Sequence, residues 1–140
     1  MKLLVTGTAG FIGHFVALRL LQDGHDVIGI DNVNDYYDVN LKEARLKNLH
    51  KFGNFIEERV DLIDREELER VFKEHNPQRV LNLAAQAGVR YSFENPYAYV
   101  DSNLIGFVNI EEQVRHNNIE HFVFASTASV YGANNKMPWD

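Results

Sequence analysis

Lys2-Leu3-Leu4-Val5-Thr6-Gly7-Thr8-Ala9-Gly10-Phe11-Ile12-Gly13 follows Met1. A short apolar run closed by glycine predicts a buried strand over Lys2 to Thr6. Gly7, Gly10 and Gly13 then recur at every third position, G-x-x-G-x-x-G. From Phe11 to Asp23, apolar residues at Phe11, Phe15, Val16, Leu18 and Leu21 predict a helix, with Gly24 as its stop. A glycine loop between a strand and a helix has a specific physical use. It allows a tight turn, lets backbone N–H groups approach a pyrophosphate, and aims the positive end of a helix at it. The competing reading is a glycine turn kept only for close packing.

The next segment bears on that choice. Asp26 to Asp31, DVIGID, predicts a second buried strand, and Asp31 stands 18 residues after Gly13. A carboxylate there can accept hydrogen bonds from the ribose diol of an adenosine and would repel a 2′-phosphate. No arginine follows at Asn32, Val33 or Asn34, so NAD is favoured over NADP. A solvated aspartate at a strand end is the plainer alternative.

Strand and helix signals continue to alternate. A turn-rich stretch from Asn32 to Asp38 precedes an amphipathic helix over Val39 to Leu49, and Phe55 to Val60 is a weaker strand. Asp64 is expected to cap a helix through His75, with Glu67 completing a capping box. Arg79 to Leu83 predicts a fourth strand, Pro96 to about Asn117 a long helix capped by Asn95, and His121 to Ala125 a fifth strand. Several strands are apolar throughout, which implies burial on both faces. The fold class expected is α/β, a parallel sheet with helices above and below.

Composition removes other classes. The 140 residues carry a net charge of −6, which argues against a nucleic-acid surface. There is no cysteine, so disulfides and thiolate chemistry are excluded. No apolar run suits a signal peptide or a membrane helix, and a soluble, cytoplasmic protein without a membrane partner is expected. The six histidines show no metal-ligand spacing; no metal site is expected, and they read as surface or capping residues. Lys42 to Lys47, KEARLK, reads as a solvated helix face.

Three further segments fall at predicted strand ends. Asp61-Leu62 could accept from an adenine amino group and cover its ring, or be an ordinary loop. Asn82 to Gly88, NLAAQAG, has small residues where a doubly wound sheet changes direction, the usual ligand crevice; tight helix packing is the alternative. Ser126, Thr127 and Ser129 place hydroxyls after the fifth strand. Tyr36-Tyr37 is either a cover over an adenosine or a packed loop.

Together TGTAGFIG, GIDNVNDYYDVNLKEARL, NLAAQAGVRYS, ENPYAYVDSNLIGFVNI and ASTASVYG resemble the NAD-dependent nucleotide-sugar epimerase/dehydratase family. This is the extended branch of the short-chain dehydrogenase/reductases. DNVNDYYDVNLK and AAQAGVRYS point within it to the UDP-glucuronate 4-epimerases. The resemblance spans the chain but only the first part of such an enzyme. It implies a truncated Rossmann domain over residues 1–140, a doubly wound sheet of about five strands in order 3-2-1-4-5. It places Gly7, Gly10, Phe11, Ile12 and Gly13 at the pyrophosphate of NAD, Asp31 and Asn32 at the adenosine ribose, and Asp61 and Leu62 at adenine. Leu83, Ala84 and Ala85 line the nicotinamide ribose side, and Asn103 lies near the cofactor. Thr127 matches the catalytic Ser/Thr position, with Ser126 and Ser129 beside it, and Arg90 lies where a nucleotide-sugar substrate approaches. Asn82 stands where relatives often have histidine.

One departure is serious. The family chemistry uses Tyr-x-x-x-Lys, and none of the six tyrosines has a lysine four residues on. The chain is therefore expected to bind NAD and to be inactive alone. Residues 122–126 are expected to form a bare apolar strand edge that pairs chains into a homo-oligomer. The readings left open are a fragment of a UDP-glucuronate 4-epimerase, an NAD-binding module without turnover, and a fragment of a related dehydratase or decarboxylase. Against the dehydratase, Ala128 and Ser129 stand where acidic residues would be expected.

Overall fold

The computed structural model describes residues 1–138. Five strands, β1 (Lys2–Thr6), β2 (Asp26–Ile30), β3 (Phe55–Glu58), β4 (Arg79–Asn82) and β5 (His121–Phe124), form one sheet in the order β3-β2-β1-β4-β5. All four pairings are parallel. The helices are α1 (Phe11–Gln22), α2 (Val39–Leu49), α3 (Arg65–His75), the short α4 (Tyr91–Glu94) and α5 (Pro96–Tyr99), and α6 (Gly106–His116).

Alternation along the strands divides the core in two. Leu4, Ile28, Ile30 and Val80 face a cluster that contains Leu68, Val71 and Phe72 of α3 and Ile110 of α6. Val5 and Val27 face Ala17 and Leu21 of α1 and Leu46 and Leu49 of α2. The sheet is thus covered on both faces, as its near-continuous apolar strands require.

Register aligns the strand ends. Glu58, Ile30, Thr6, Asn82 and Phe124 form one row of paired partners across the sheet. The residues that follow each strand therefore emerge along one edge. The direction of the sheet reverses between β1 and β4, and a crevice opens there.

Three local expectations change. The helix predicted from Pro96 is not continuous: α5 passes into a six-residue π-helical segment, Val100–Ile105, before α6. Asn95 still caps it, its Oδ1 accepting from the Ala98 N–H at 3.3 Å. The capping box at α3 is only half made. Asp64 accepts from the Glu67 N–H at 3.1 Å, but the Glu67 carboxylate takes the Arg70 guanidinium at 2.9 Å instead. An ion pair with a delocalised cation outcompetes a return bond to a backbone donor that already bonds the Asp61 carbonyl. Two of the histidines expected as surface or capping residues, His14 and His75, are buried, His75 in the last turn of α3.

His75 belongs to a network joining β3 to α3. Its Nε2 lies 2.6 Å from Glu58 Oε1, and Arg70 donates to Glu58 Oε2 at 2.7 Å and to Glu74 at 2.9 Å. Glu58, Glu74 and His75 bring possible ligand atoms within 4.8 Å of one another, but the Arg70 guanidinium already bonds both carboxylates. The Arg70 bond holds the Glu58 carboxyl below its ordinary value near 4.5; burial opposes this and the His75 bond adds to it. A folded carboxyl that titrates below the unfolded one stabilises the protein fully above the unfolded value. That contribution is lost as pH falls through the folded one. Glu58→Gln is therefore expected to flatten the loss of unfolding free energy between about pH 5 and 3 relative to wild type. Denaturant titrations across that range check it, and parallel curves for the two proteins would refute it.

Candidate dinucleotide cleft

The crevice is a cleft of about 610 Å³, within the range of small-molecule sites. Gly7, Gly10, Phe11, Ile12 and Gly13 line it from the first strand–helix turn, and Asp31 and Asn32 from the end of β2. Asp61 and Leu62 line it from the end of β3, and Leu83, Ala84 and Ala85 from the end of β4. Twelve positions expected from sequence at a cofactor thus meet in one cavity.

The glycine loop is built for close approach. Gly7 takes φ +77°, and a Cβ there would lie 3.0 Å from Ala84 N and Cα. A Cβ on Gly13 would lie 2.6 Å from the Gly7 carbonyl carbon and nearer still to its oxygen. Gly10 caps α1 without a side-chain acceptor. The N–H groups of Phe11, Ile12 and Gly13 are those an α-helix leaves without a carbonyl. Unpaired donors at a positive helix end, facing a cavity, form an anion site.

The floor between β1 and β4 rests on one hydroxyl. Thr6 Oγ1 donates to Asn82 Oδ1 at 2.6 Å and accepts from the Leu83 and Ala84 N–H groups, each at 3.0 Å. That uses its proton and both lone pairs. Thr6 is fully buried, and its part was not foreseen; a strand-end threonine carries no local signal for it. Asn82 serves here as the acceptor.

At the other end, each oxygen of Asp31 holds a backbone donor: Ala9 N–H at 3.0 Å and Val33 N–H at 2.8 Å. Val33 has φ +49°, an unusual conformation for a β-branched residue. The Asn32 side-chain amide donates to Asp61 at 2.8 Å, so those two carboxylate-bearing loops are linked across the mouth.

The run KEARLK is a solvated face only in part: Ala44 and Lys47 are exposed, but the other side turns inward. Lys42 is buried and lines the cleft with Arg45. Lys42 Nζ donates to Asn34 O at 2.6 Å and Asn34 Oδ1 at 2.7 Å, and lies 4.4 Å from the centre of the Tyr37 ring. Arg45 donates to Ala9 O at 3.1 Å and Tyr37 Oη at 2.9 Å. Burial lowers the Lys42 pKa, while Asp31 and Asp35 act to raise it. Spacing could have flagged the pair: 42 and 45, with Leu41, Leu46 and Leu49, share the inner half of the helix. Tyr36 and Tyr37 both line the cleft, and Tyr36 packs against Tyr91 with ring centroids 4.9 Å apart and planes tilted by 45°. The pair is thus a packed loop on the cleft wall.

The other expected residues lie apart. Asn103, in the π segment, does not line the cleft. Its side chain holds the Gln86 backbone at both groups, accepting from N–H at 2.7 Å and donating to the carbonyl at 3.0 Å. Arg90, exposed, immediately precedes α4 at its N-cap position. Thr127 and Ser129 are exposed at a 3₁₀ turn (Ala128–Tyr131), where Thr127 Oγ1 accepts from the Ser129 N–H at 3.2 Å. Ser126 is exposed beside them, while Ala125 lines the cleft.

Residues 4–140 match the family model described as GDP-mannose 4,6 dehydratase. The chain belongs to that family. Among curated proteins it is 55% identical over 139 residues to protein CapI of Staphylococcus aureus, covering 99% of this chain and 41% of that one. It is 49% identical over 139 residues to a probable UDP-glucuronate 4-epimerase of Rhizobium meliloti, with coverages of 99% and 41%. The chain thus spans about two fifths of the length of these relatives. Among solved structures, UDP-glucuronic acid 4-epimerase of Bacillus cereus, in complex with UDP-glucuronic acid and NAD, superposes with a TM-score of 0.87 at 32% identity. That match covers 97% of this chain and 43% of the other. UDP-glucose 4-epimerase of Thermotoga maritima gives a TM-score of 0.82 at 35% identity, covering 97% and 41%. Both solved structures thus share this fold over about two fifths of their own chains. No helix among the described residues is long and apolar enough to cross a membrane.

Proposed function

We propose that this chain binds NAD and forms the cofactor-binding portion of a nucleotide-sugar 4-epimerase, converting UDP-glucuronate to UDP-galacturonate by transient oxidation at C4. The observation that carries the reading is the uncapped start of α1 at Gly10–Gly13, set against Gly7 and opening onto the same cleft as Asp31. The free N–H groups suit a pyrophosphate. Asp31 suits a ribose diol, and Asp61, with Leu62, suits adenine. When bound, NAD would take up and return a hydride.

Thr127 would hydrogen-bond the sugar 4-hydroxyl, with Ser126 and Ser129 beside it, and Arg90 would meet the anionic part of the substrate. Asn103 keeps the Gln86 segment in place at the nicotinamide side. A hydroxyl alone is a poor base at neutral pH, and the 140 residues contain no Tyr-x-x-x-Lys. By itself the chain is proposed to bind cofactor without turnover. The family description names a dehydratase, and such a reaction is the second reading; Ala128 and Ser129 after β5, rather than acidic residues, favour the epimerase.

Calorimetric titration of the purified chain tests the reading. NAD binding at micromolar to millimolar concentration supports it, and no detectable binding overturns it. Robust interconversion of UDP-glucuronate by these 140 residues would refute the absence of turnover. β5 has a bare edge in this sheet, with Val123 and Phe124 exposed, and pairing between chains is proposed there. Light scattering that gives a single-chain mass at high concentration would refute it.

A further inference from the structure

Resting on the reading of the cleft as an NAD site, we infer that residues 32–38 form a strap across the cleft. The Tyr36 ring at its tip sits in a notch at Gly88, and this contact must part for the dinucleotide to enter or leave. The strap follows β2 and its partner loop follows β4, on either side of β1 in the sheet. Asn34 and Tyr36 line the cavity from one side, Gln86 and Ala87 from the other. Where the two loops meet, Tyr36 packs against Tyr91, with ring centroids 4.9 Å apart. A Cβ on Gly88 would run into Tyr36 Oη, so the missing side chain is what leaves room for the phenol. The contact therefore bridges the glycine turn that follows β1.

The supports of this bridge are held more firmly than its tip. At the root, Lys42 donates to Asn34 O at 2.6 Å and to Asn34 Oδ1 at 2.7 Å and lies against the Tyr37 ring. Tyr37 Oη donates to Ala9 O at 3.3 Å and accepts from Arg45 at 2.9 Å. The landing is tied down as well. Tyr99 Oη donates to Ala87 O at 2.8 Å and lies against Gly88 O. Asn103 holds both backbone groups of Gln86, and Tyr91 Oη accepts from Asn95 at 3.2 Å. The Tyr36 side chain rests on ring packing, and the residue stays 41% exposed. Such a contact, half open to water, can part and re-form without unfolding either support. Fixed supports with a separable tip are the arrangement of a gate. A bridge that must part in both directions slows entry and exit together and leaves affinity nearly unchanged. A ring that only touched the ligand would slow exit alone.

The test is stopped-flow mixing of the purified chain with NADH, read by nicotinamide fluorescence, followed by displacement of bound NADH with excess NAD. Circular dichroism confirms the folding of each variant. Tyr36→Ala is expected to raise the association and dissociation rate constants each by about fivefold or more, with Kd changed by less than about threefold. Gly88→Ala, whose methyl evicts the phenol, is expected to raise both as well. Combined with Tyr36→Phe, which removes the clashing oxygen, it is expected to return toward wild type. Strain at φ +94° burdens both Gly88 variants alike, so the difference between them reports the notch. Should Gly88→Ala not fold, Tyr91→Leu, which removes the ring that Tyr36 packs on, takes its place and is expected to raise both rate constants. If folded Tyr36→Ala leaves both unchanged while wild type binds NADH, the strap is refuted and the cofactor reading stands. A rise in dissociation alone makes Tyr36 a ligand contact and refutes the gate. Failure of Tyr36→Phe to rescue Gly88→Ala refutes the notch. A wild-type chain that binds no NADH overturns the cofactor reading and the gate with it.

Discussion

Gly13→Ala is expected to destabilise the chain by about 3 kcal/mol and to abolish detectable NAD binding. The added Cβ would lie 2.6 Å from the Gly7 carbonyl carbon, and every near atom belongs to backbone. No side chain can swing aside, so either α1 shifts off the sheet or the Gly7 turn moves. Both displace the N–H groups at the start of α1. Gly24→Ala is the control. Gly24 also takes a positive φ, +82°, but nothing lies within 4 Å of a Cβ there. It should cost about 1 kcal/mol from backbone strain and leave NAD affinity unchanged. Thermal melts and calorimetry on both variants make the comparison. Equal effects would mean that the loop packing at Gly13 is not what shapes the site.

Thr6→Val is the second large effect. It keeps the shape of the side chain and removes only the hydroxyl. Asn82 Oδ1 and the N–H groups of Leu83 and Ala84 would then all lose their partner. Each unsatisfied buried group costs roughly 1–3 kcal/mol, and since the Leu83 and Ala84 groups border the cleft, water can recover part. A loss of about 3 kcal/mol is expected, with weakened NAD affinity because the β4 end is no longer tied to β1. Thr6→Ser keeps all three bonds and loses one methyl, a cost of about 1 kcal/mol. Denaturant melts that rank valine no worse than serine would show that the hydroxyl is not the tie.

Much of the cleft was legible in the sequence because its signals are local. The glycines of the first turn, the aspartate at the end of β2 and the small residues after β4 announce themselves through turn chemistry and strand boundaries. Together with Phe11, Ile12 and Asn32, which only the family resemblance pointed to, the residues chosen that way line one cavity. Asn103 was placed near the cofactor, and its actual work, holding Gln86 by two bonds, depends on a π segment that no periodicity signals. Thr127 and its neighbouring serines emerge after β5, at the same sheet edge as the cleft loops, and sit exposed in a turn of their own.

By itself the sequence determined the alternation of strand and helix, the parallel character of the sheet and the glycine turn before α1. These follow from periods of about two and 3.6 residues and from glycine's access to positive φ, which act within a few residues. Tertiary structure alone decided that Thr6 bonds a residue 76 positions away and that Arg45 reaches a carbonyl 36 positions back. It also decided that Lys42 turns inward to a cavity rather than outward to water. Those outcomes depend on strand register and on which helix face the sheet accepts. Both are settled by packing between distant segments, where burial and hydrogen-bond satisfaction outweigh the local preference of a lysine for solvent.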